Sequence, residues 1–205
     1  MCRIEKVESG KDKAVTYSYQ MERYQLAKKQ EFYFEAIVIT YAMIEDRLLA
    51  FLHYTGVIDR RTQGNQAEQR IRVTKQAKEQ INVLLEYNPN YTISFNTISI
   101  KIRIIEKLMN LPEENNDPYL NLVRAQIDRT INRDKFNIFL QRLSNWLALR
   151  NQIIHALMGK RTKAVLDCQA RIAEEGYNLG RELDGFVSKL KAGNKEGIRI
   201  QSNNE

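Results

Sequence analysis

Residues 134–158 read DKFNIFLQRLSNWLALRNQIIHALM. Apolar side chains recur at Phe136, Leu140, Leu143, Leu147, Ile154 and Leu157, in steps of four and three. That spacing lines one side of an α-helix and does not fit a strand, whose faces alternate every second residue. Position 150 belongs to the same line, yet it holds arginine. An arginine on a packed seam is costly unless it is paired, reaches out along its own methylenes, or faces a second subunit. Asp134 is placed to cap this helix and Gly159 to close it.

The neighbouring segments read the same way. A first helix is expected to begin within 21–34 and run to about Thr55, with the seam Phe34, Ile37, Tyr41, Ile44, Leu48 and Phe51 and Gly56 as its stop. A thinner apolar face over 66–87 predicts a second helix, ended at Asn88-Pro89. Within 91–110, Ile98, Ile100, Ile102 and Ile104 alternate as in a strand, while Ile98, Ile102, Ile105 and Met109 fit a helix. Helical neighbours and the lack of a partner strand decide for helix. A short helix over 118–132 and a final one over 166–190 complete the set, with Phe139 and Trp146 expected in the core. The expected fold is all-α, an up-and-down helical bundle with room for extra short helices. Its parts are a loose lead-in over 1–20, a helical domain over 21–192 and a polar tail over 193–205.

Composition agrees. Of 205 residues, 43% are hydrophobic and 28% charged, enough for a core and unlike a disordered chain. Three prolines and nine glycines leave long uninterrupted helical stretches. Cys2 and Cys168 make neither a disulfide framework nor a zinc site, which points to a reducing, cytoplasmic setting. The charged start predicts no signal peptide, and the apolar run 36–44 is too short to span a bilayer. The net charge is +7, and the segment 124–163 carries nine positive against two negative side chains, a surplus as large as the whole chain's. Such a field attracts polyanions, nucleic acid above all.

The chemistry concentrates in Arg150-Asn151-Gln152-Ile153-Ile154-His155, which holds one of two histidines. Five residues along a helix are ~7.5 Å of rise and ~140° of rotation, so Arg150 and His155 do not share a face. Asn151 and His155, at i and i+4, do. Two such helices meeting about a two-fold axis would bring two arginines and two histidines into one cleft. That inventory suits cleavage of RNA by its own 2′-hydroxyl. Histidine moves protons near neutral pH, and a planar guanidinium fits a phosphorane. Two scattered histidines make a poor metal site, and no metal or cofactor is implied. His53, near Gly56, reads as a helix-end histidine. Lys160 and Arg161, just beyond the motif, are candidates for holding RNA phosphates, as Ser144 and Asn145 are for contacting RNA.

At these residues the chain resembles the HEPN superfamily, whose signature is arginine, often followed by asparagine, three more positions and then histidine. The resemblance implies an all-α bundle and a metal-independent endoribonuclease of toxin–antitoxin or phage-defence type. It further implies a homodimer with a shared cleft, products ending in 2′,3′-cyclic phosphate, and an antitoxin or regulatory protein as partner. Catalytic roles would fall to Arg150, Asn151 and His155. Relatives often steady the arginine with an acidic or polar residue from an earlier helix, and the Glu45-Asp46 pair is the candidate here. Where some relatives carry His-x-Tyr, this chain has Leu157. The competing expectations are a non-catalytic HEPN-like module binding a protein or nucleotide, and a helical nucleic-acid-binding protein.

Overall fold

The computed structural model describes residues 10–59, 72–73, 97–112, 118–156 and 162–193. They form six helices: α1 (Gly10–Lys29), α2 (Tyr33–Tyr54), α3 (Ile98–Met109), α4 (Pro118–Thr130), α5 (Arg133–Ala156) and α6 (Thr162–Gly193). The fold is an all-α bundle. Among the described residues the one addition is a two-residue antiparallel pairing of Ile58–Asp59 with Arg72–Val73. Most of the helix expected over 66–87 lies outside the described residues, and Arg72–Val73, which do not, are extended rather than helical.

Helix directions follow from their contacts. Arg23 pairs with Glu35 and Tyr17 with Asp46, so α1 and α2 are antiparallel. Gly176 lies against Thr40, Gly180 against Ile44, and Asp184 binds Arg47, so α2 and α6 run parallel. Phe136 packs on Phe186 and Trp146 binds the Ile172 carbonyl, so α5 runs against α6. α3 packs against both α2 and α5.

The first helix departs from expectation in two ways. Residues 10–20, expected as a loose lead-in, are the first half of α1. The chain then breaks where no glycine or proline marks it. Glu31 takes a left-handed φ of 59°, and the amides of Gln30, Glu31 and Phe32 close back on Leu26, Lys28 and Ala27. Gly56, expected as the stop of α2, lies at φ 82°, with the Val57 amide bonded to the Leu52 carbonyl as in a Schellman closure. The α2 seam is buried at Ile37, Ile44, Leu48 and Phe51, but Phe34 is exposed.

α3 is a helix, with Ile98, Ile102, Ile105 and Met109 buried and the Thr97 hydroxyl accepting from the Ile100 amide. α5 starts on Asn132, whose side chain accepts the Lys135 amide at 3.0 Å, so Asn132 and not Asp134 is the cap. Asp134 remains in the first turn, where an anion suits the helix dipole. The seam of α5 is buried through Leu147, as are Phe139 and Trp146. Beyond it Ile153 is buried and Ile154 only half-buried, because a straight helix drifts off a 3.5-residue step.

The α2–α5–α6 contact depends on one glycine. A Cβ at Gly176 would lie 2.7 Å from Trp146 Cζ2 and 2.8 Å from Thr40 Oγ1. Trp146 cannot swing aside, since its Nε1–H donates to the Ile172 carbonyl at 2.8 Å. Alanine would gain ~1 kcal/mol of helix propensity but incur overpacking of ~1–3 kcal/mol. Gly176→Ala should therefore lower unfolding free energy by up to about 2 kcal/mol in denaturant titrations; a stabilised variant would refute this packing.

Candidate active site

Arg150 leaves the buried arc of α5 and meets α2. Its guanidinium carbon sits 4.1 Å from the centroid of the Tyr41 ring. Its Nη1 donates to Asn151 Oδ1 at 3.0 Å. Its Nε is buried without a hydrogen-bond partner among the described residues, at a cost of about 1–3 kcal/mol. Stacking on an aromatic face and binding a neighbouring amide fix the plane of the guanidinium, and this suits arginine better than lysine. Burial raises the Tyr41 hydroxyl pKa, with the Glu45 charge adding to it and Arg150 opposing it. Tyr41 therefore stays neutral and keeps the electron-rich face that the guanidinium prefers.

Two sequence neighbours proposed to steady the arginine separate here. Glu45 lies one turn after Tyr41 and binds Lys101 Nζ of α3 at 2.8 Å. Lys101 is 1% exposed, the one lysine in the core of the described residues. Asp46 sits about 100° further round α2 and turns to α1. It accepts hydrogen bonds from Lys13 at 2.7 Å, from Tyr17 at 2.8 Å and from Arg47. Burial alone would raise the Asp46 carboxyl pKa, but the bonds from Lys13, Arg47 and Tyr17 outweigh it and hold it at about 2. Asp46 thus joins α1 to α2 and faces away from Arg150, whereas Glu45 is on the arginine's side. Glu45 and Arg150 meet only through Tyr41, whose hydroxyl feels both charges.

His155 is exposed in the last turn of α5. Asn151 is half-buried, one turn before it on the same face. Within one chain the arginine faces α2 while the histidine faces solvent. The structure thus brings Arg150 and Asn151 together and leaves His155 apart. Lys160, Arg161, Leu157 and Gly159 lie outside the described residues. His53 is half-buried near the end of α2, its ring 5.1 Å from that of Tyr54.

Beside the motif an open groove of about 1010 Å³ runs between α3 and α5, at the upper end of ligand clefts. It ends at Asn151, and Ser144 and Asn145 both line it. Among the described residues no group of three or more His, Cys, Asp or Glu is placed to hold a metal ion. None of their helices is long and apolar enough to cross a membrane.

Tyr41 and Lys101 are the residues that sequence reasoning missed. Tyr41 belongs to the apolar seam of α2, and its hydroxyl, the one polar group on that line, is the signal that marks it. Comparison with protein-family profiles, curated proteins and solved structures finds no match to this chain.

Proposed function

We propose that the chain is a metal-independent endoribonuclease of HEPN type, acting in the cytoplasm as a homodimer in a toxin–antitoxin or phage-defence setting. The observation that carries the reading is the held guanidinium, stacked on Tyr41 and bonded to Asn151, five residues before a solvent-exposed histidine. A second copy is needed because one chain aims Arg150 and His155 in different directions. The outer face of α2 supports such a copy. Phe34 and Val38 are 40% and 43% exposed, and Ala42 continues the row beside Tyr41. A contiguous apolar strip of this kind on a surface helix marks a contact face.

In this reading a histidine takes the proton of a ribose 2′-hydroxyl, whose oxygen attacks the adjacent phosphorus. The P–O5′ bond breaks, and the departing 5′-oxygen takes the proton back from the imidazolium so formed. Arginine stabilises charge on the equatorial phosphoryl oxygens. The products are a 2′,3′-cyclic phosphate and a 5′-hydroxyl. An antitoxin or regulatory protein would act by covering the cleft or separating the copies. The test is incubation of the purified protein with several single-stranded RNAs in EDTA: cleavage with cyclic phosphate ends supports the reading, and intact RNA in every case ends it. A nucleic-acid-binding protein that does not cut is the second reading, favoured by the amide and cationic side chains along the groove; binding without cleavage in the same incubations would select it.

A further inference from the structure

The groove between α3 and α5 meets the catalytic constellation at Asn151, and its lining mixes the apolar Ile102, Leu140, Leu147 and Ala148 with a row of amides and two cations. From α5 it receives Asn137, Gln141, Asn145 and Asn151, and from α3 Arg103 and Lys107. The α5 residues recur at four, four and six positions, which keeps them within one side of the helix. Asn137 and His155 are 18 residues apart, five full turns, so they point in the same direction. The amide row is therefore in line with the histidine, and its last member holds Arg150.

We infer that this groove seats a single-stranded segment of the RNA substrate, with Asn137, Gln141 and Asn145 meeting base edges and Lys107 and Arg103 meeting phosphates. The substrate class rests on the ribonuclease reading, while the groove's binding can be measured without it. Side-chain amides offer a donor and an acceptor together, the pattern that base edges present. A duplex fits poorly, since its paired bases face inward and side chains cannot enter the narrow A-form major groove. A cation on the opposite wall suits a polyanionic backbone rather than a neutral peptide. Glu106 is the acid of this wall. Burial raises its pKa, and the Ser144 hydroxyl bonds it beside Arg103, so it is an internal tie more than a repelling charge.

Length sets the probe. Asn137 to Asn151 spans ~21 Å of helix. At ~3.4 Å per stacked nucleotide that is roughly six nucleotides. A hexanucleotide should fill the groove, and a dinucleotide should reach only its motif end.

The experiment uses fluorescein-labelled oligonucleotides with every 2′-hydroxyl methylated, which bind but cannot be cut. Fluorescence anisotropy on the wild-type protein should show affinity rising from two to about six nucleotides and then levelling. The triple variant Asn137→Ala, Gln141→Ala, Lys107→Gln should bind the hexamer at least tenfold more weakly, with a salt slope shallower by about one. Affinity independent of length, or a folded triple variant that binds like the wild type, would overturn the groove assignment. If the triple variant loses its helical circular dichroism, Lys107→Gln alone decides: an unchanged salt slope counts against the proposal and a shallower one supports it. Should the unmethylated hexamer bind in the same groove-dependent way and remain intact, the groove stands and the ribonuclease reading falls.

Discussion

His155→Ala should reduce RNA cleavage by roughly 10²–10⁴-fold, the range for losing a general acid or base, while shifting the thermal midpoint by less than about 2 °C. The two halves of this result have one cause. His155 is exposed at the end of α5 and lies outside the core, so its removal leaves packing intact. Arg150→Ala should match the loss in cleavage through lost charge stabilisation, ~10²–10³-fold. Its effect on stability should be small, because loss of the contact with Tyr41, ~0.5–1 kcal/mol, is offset by removal of the buried unpartnered Nε. Arg150→Lys should not restore activity, since an ammonium cannot both lie flat on the ring and bind Asn151 as the guanidinium does.

Mixing these variants tests the composite site. A dimer of one Arg150→Ala chain and one His155→Ala chain still has one arginine and one histidine, on different copies. Refolding the two inactive proteins together should therefore recover measurable cleavage. A mixed dimer that forms and stays inactive would show that each chain needs its own pair, and the shared cleft would fall.

Helical identity was legible where one face is buried and obscure where two are. In α5 a single apolar line ran from Phe136 to Leu147, and each member is buried. α3 is wedged between α2 and α5, so Ile98, Lys101, Ile102, Ile104, Ile105, Leu108 and Met109 are all buried. An arc that wide contains both a period of two and a period near 3.6, which is why the isoleucines also imitated a strand. α1 gave the opposite problem. Val15, Tyr19 and Leu26 are exposed while Tyr24 and Ala27 are buried, so apolar residues lie on two different sides of the helix and no single seam stands out. The Glu31 break lacked glycine or proline chemistry to announce it. For the site, the motif helix and its odd arginine could be read from spacing. The stacking of Arg150 on Tyr41 could not, because it joins helices more than a hundred residues apart. Nor could the division of Glu45 from Asp46, since adjacent helical residues differ by ~100° and the pattern did not fix which faced which neighbour.

That division leads to the largest stability effect expected here. Lys101 Nζ lies in the core, 2.8 Å from Glu45 Oε1. Glu45→Ala leaves the ammonium without its carboxylate, and breaking a buried pair this way costs ~3–5 kcal/mol. Because 32% of the Glu45 side chain remains exposed, water compensates in part, and about 2–4 kcal/mol is expected. Lys101→Met behaves differently. Methionine fills the same space, and the freed carboxylate can turn to solvent, so the loss should stay under about 1.5 kcal/mol. The double variant Glu45→Ala, Lys101→Met should then be more stable than Glu45→Ala alone, a coupling that a double-mutant cycle in denaturant reads directly. Equal losses in the two single variants would mean that Lys101 is not stranded when Glu45 leaves. Cleavage assays on the same set separate two jobs for the carboxylate. If Glu45 acts only as the counterion of Lys101, the double variant regains activity with its stability. If it also steadies Arg150 through Tyr41, activity stays low in the double variant and remains high in Lys101→Met, where Glu45 is still beside the ring.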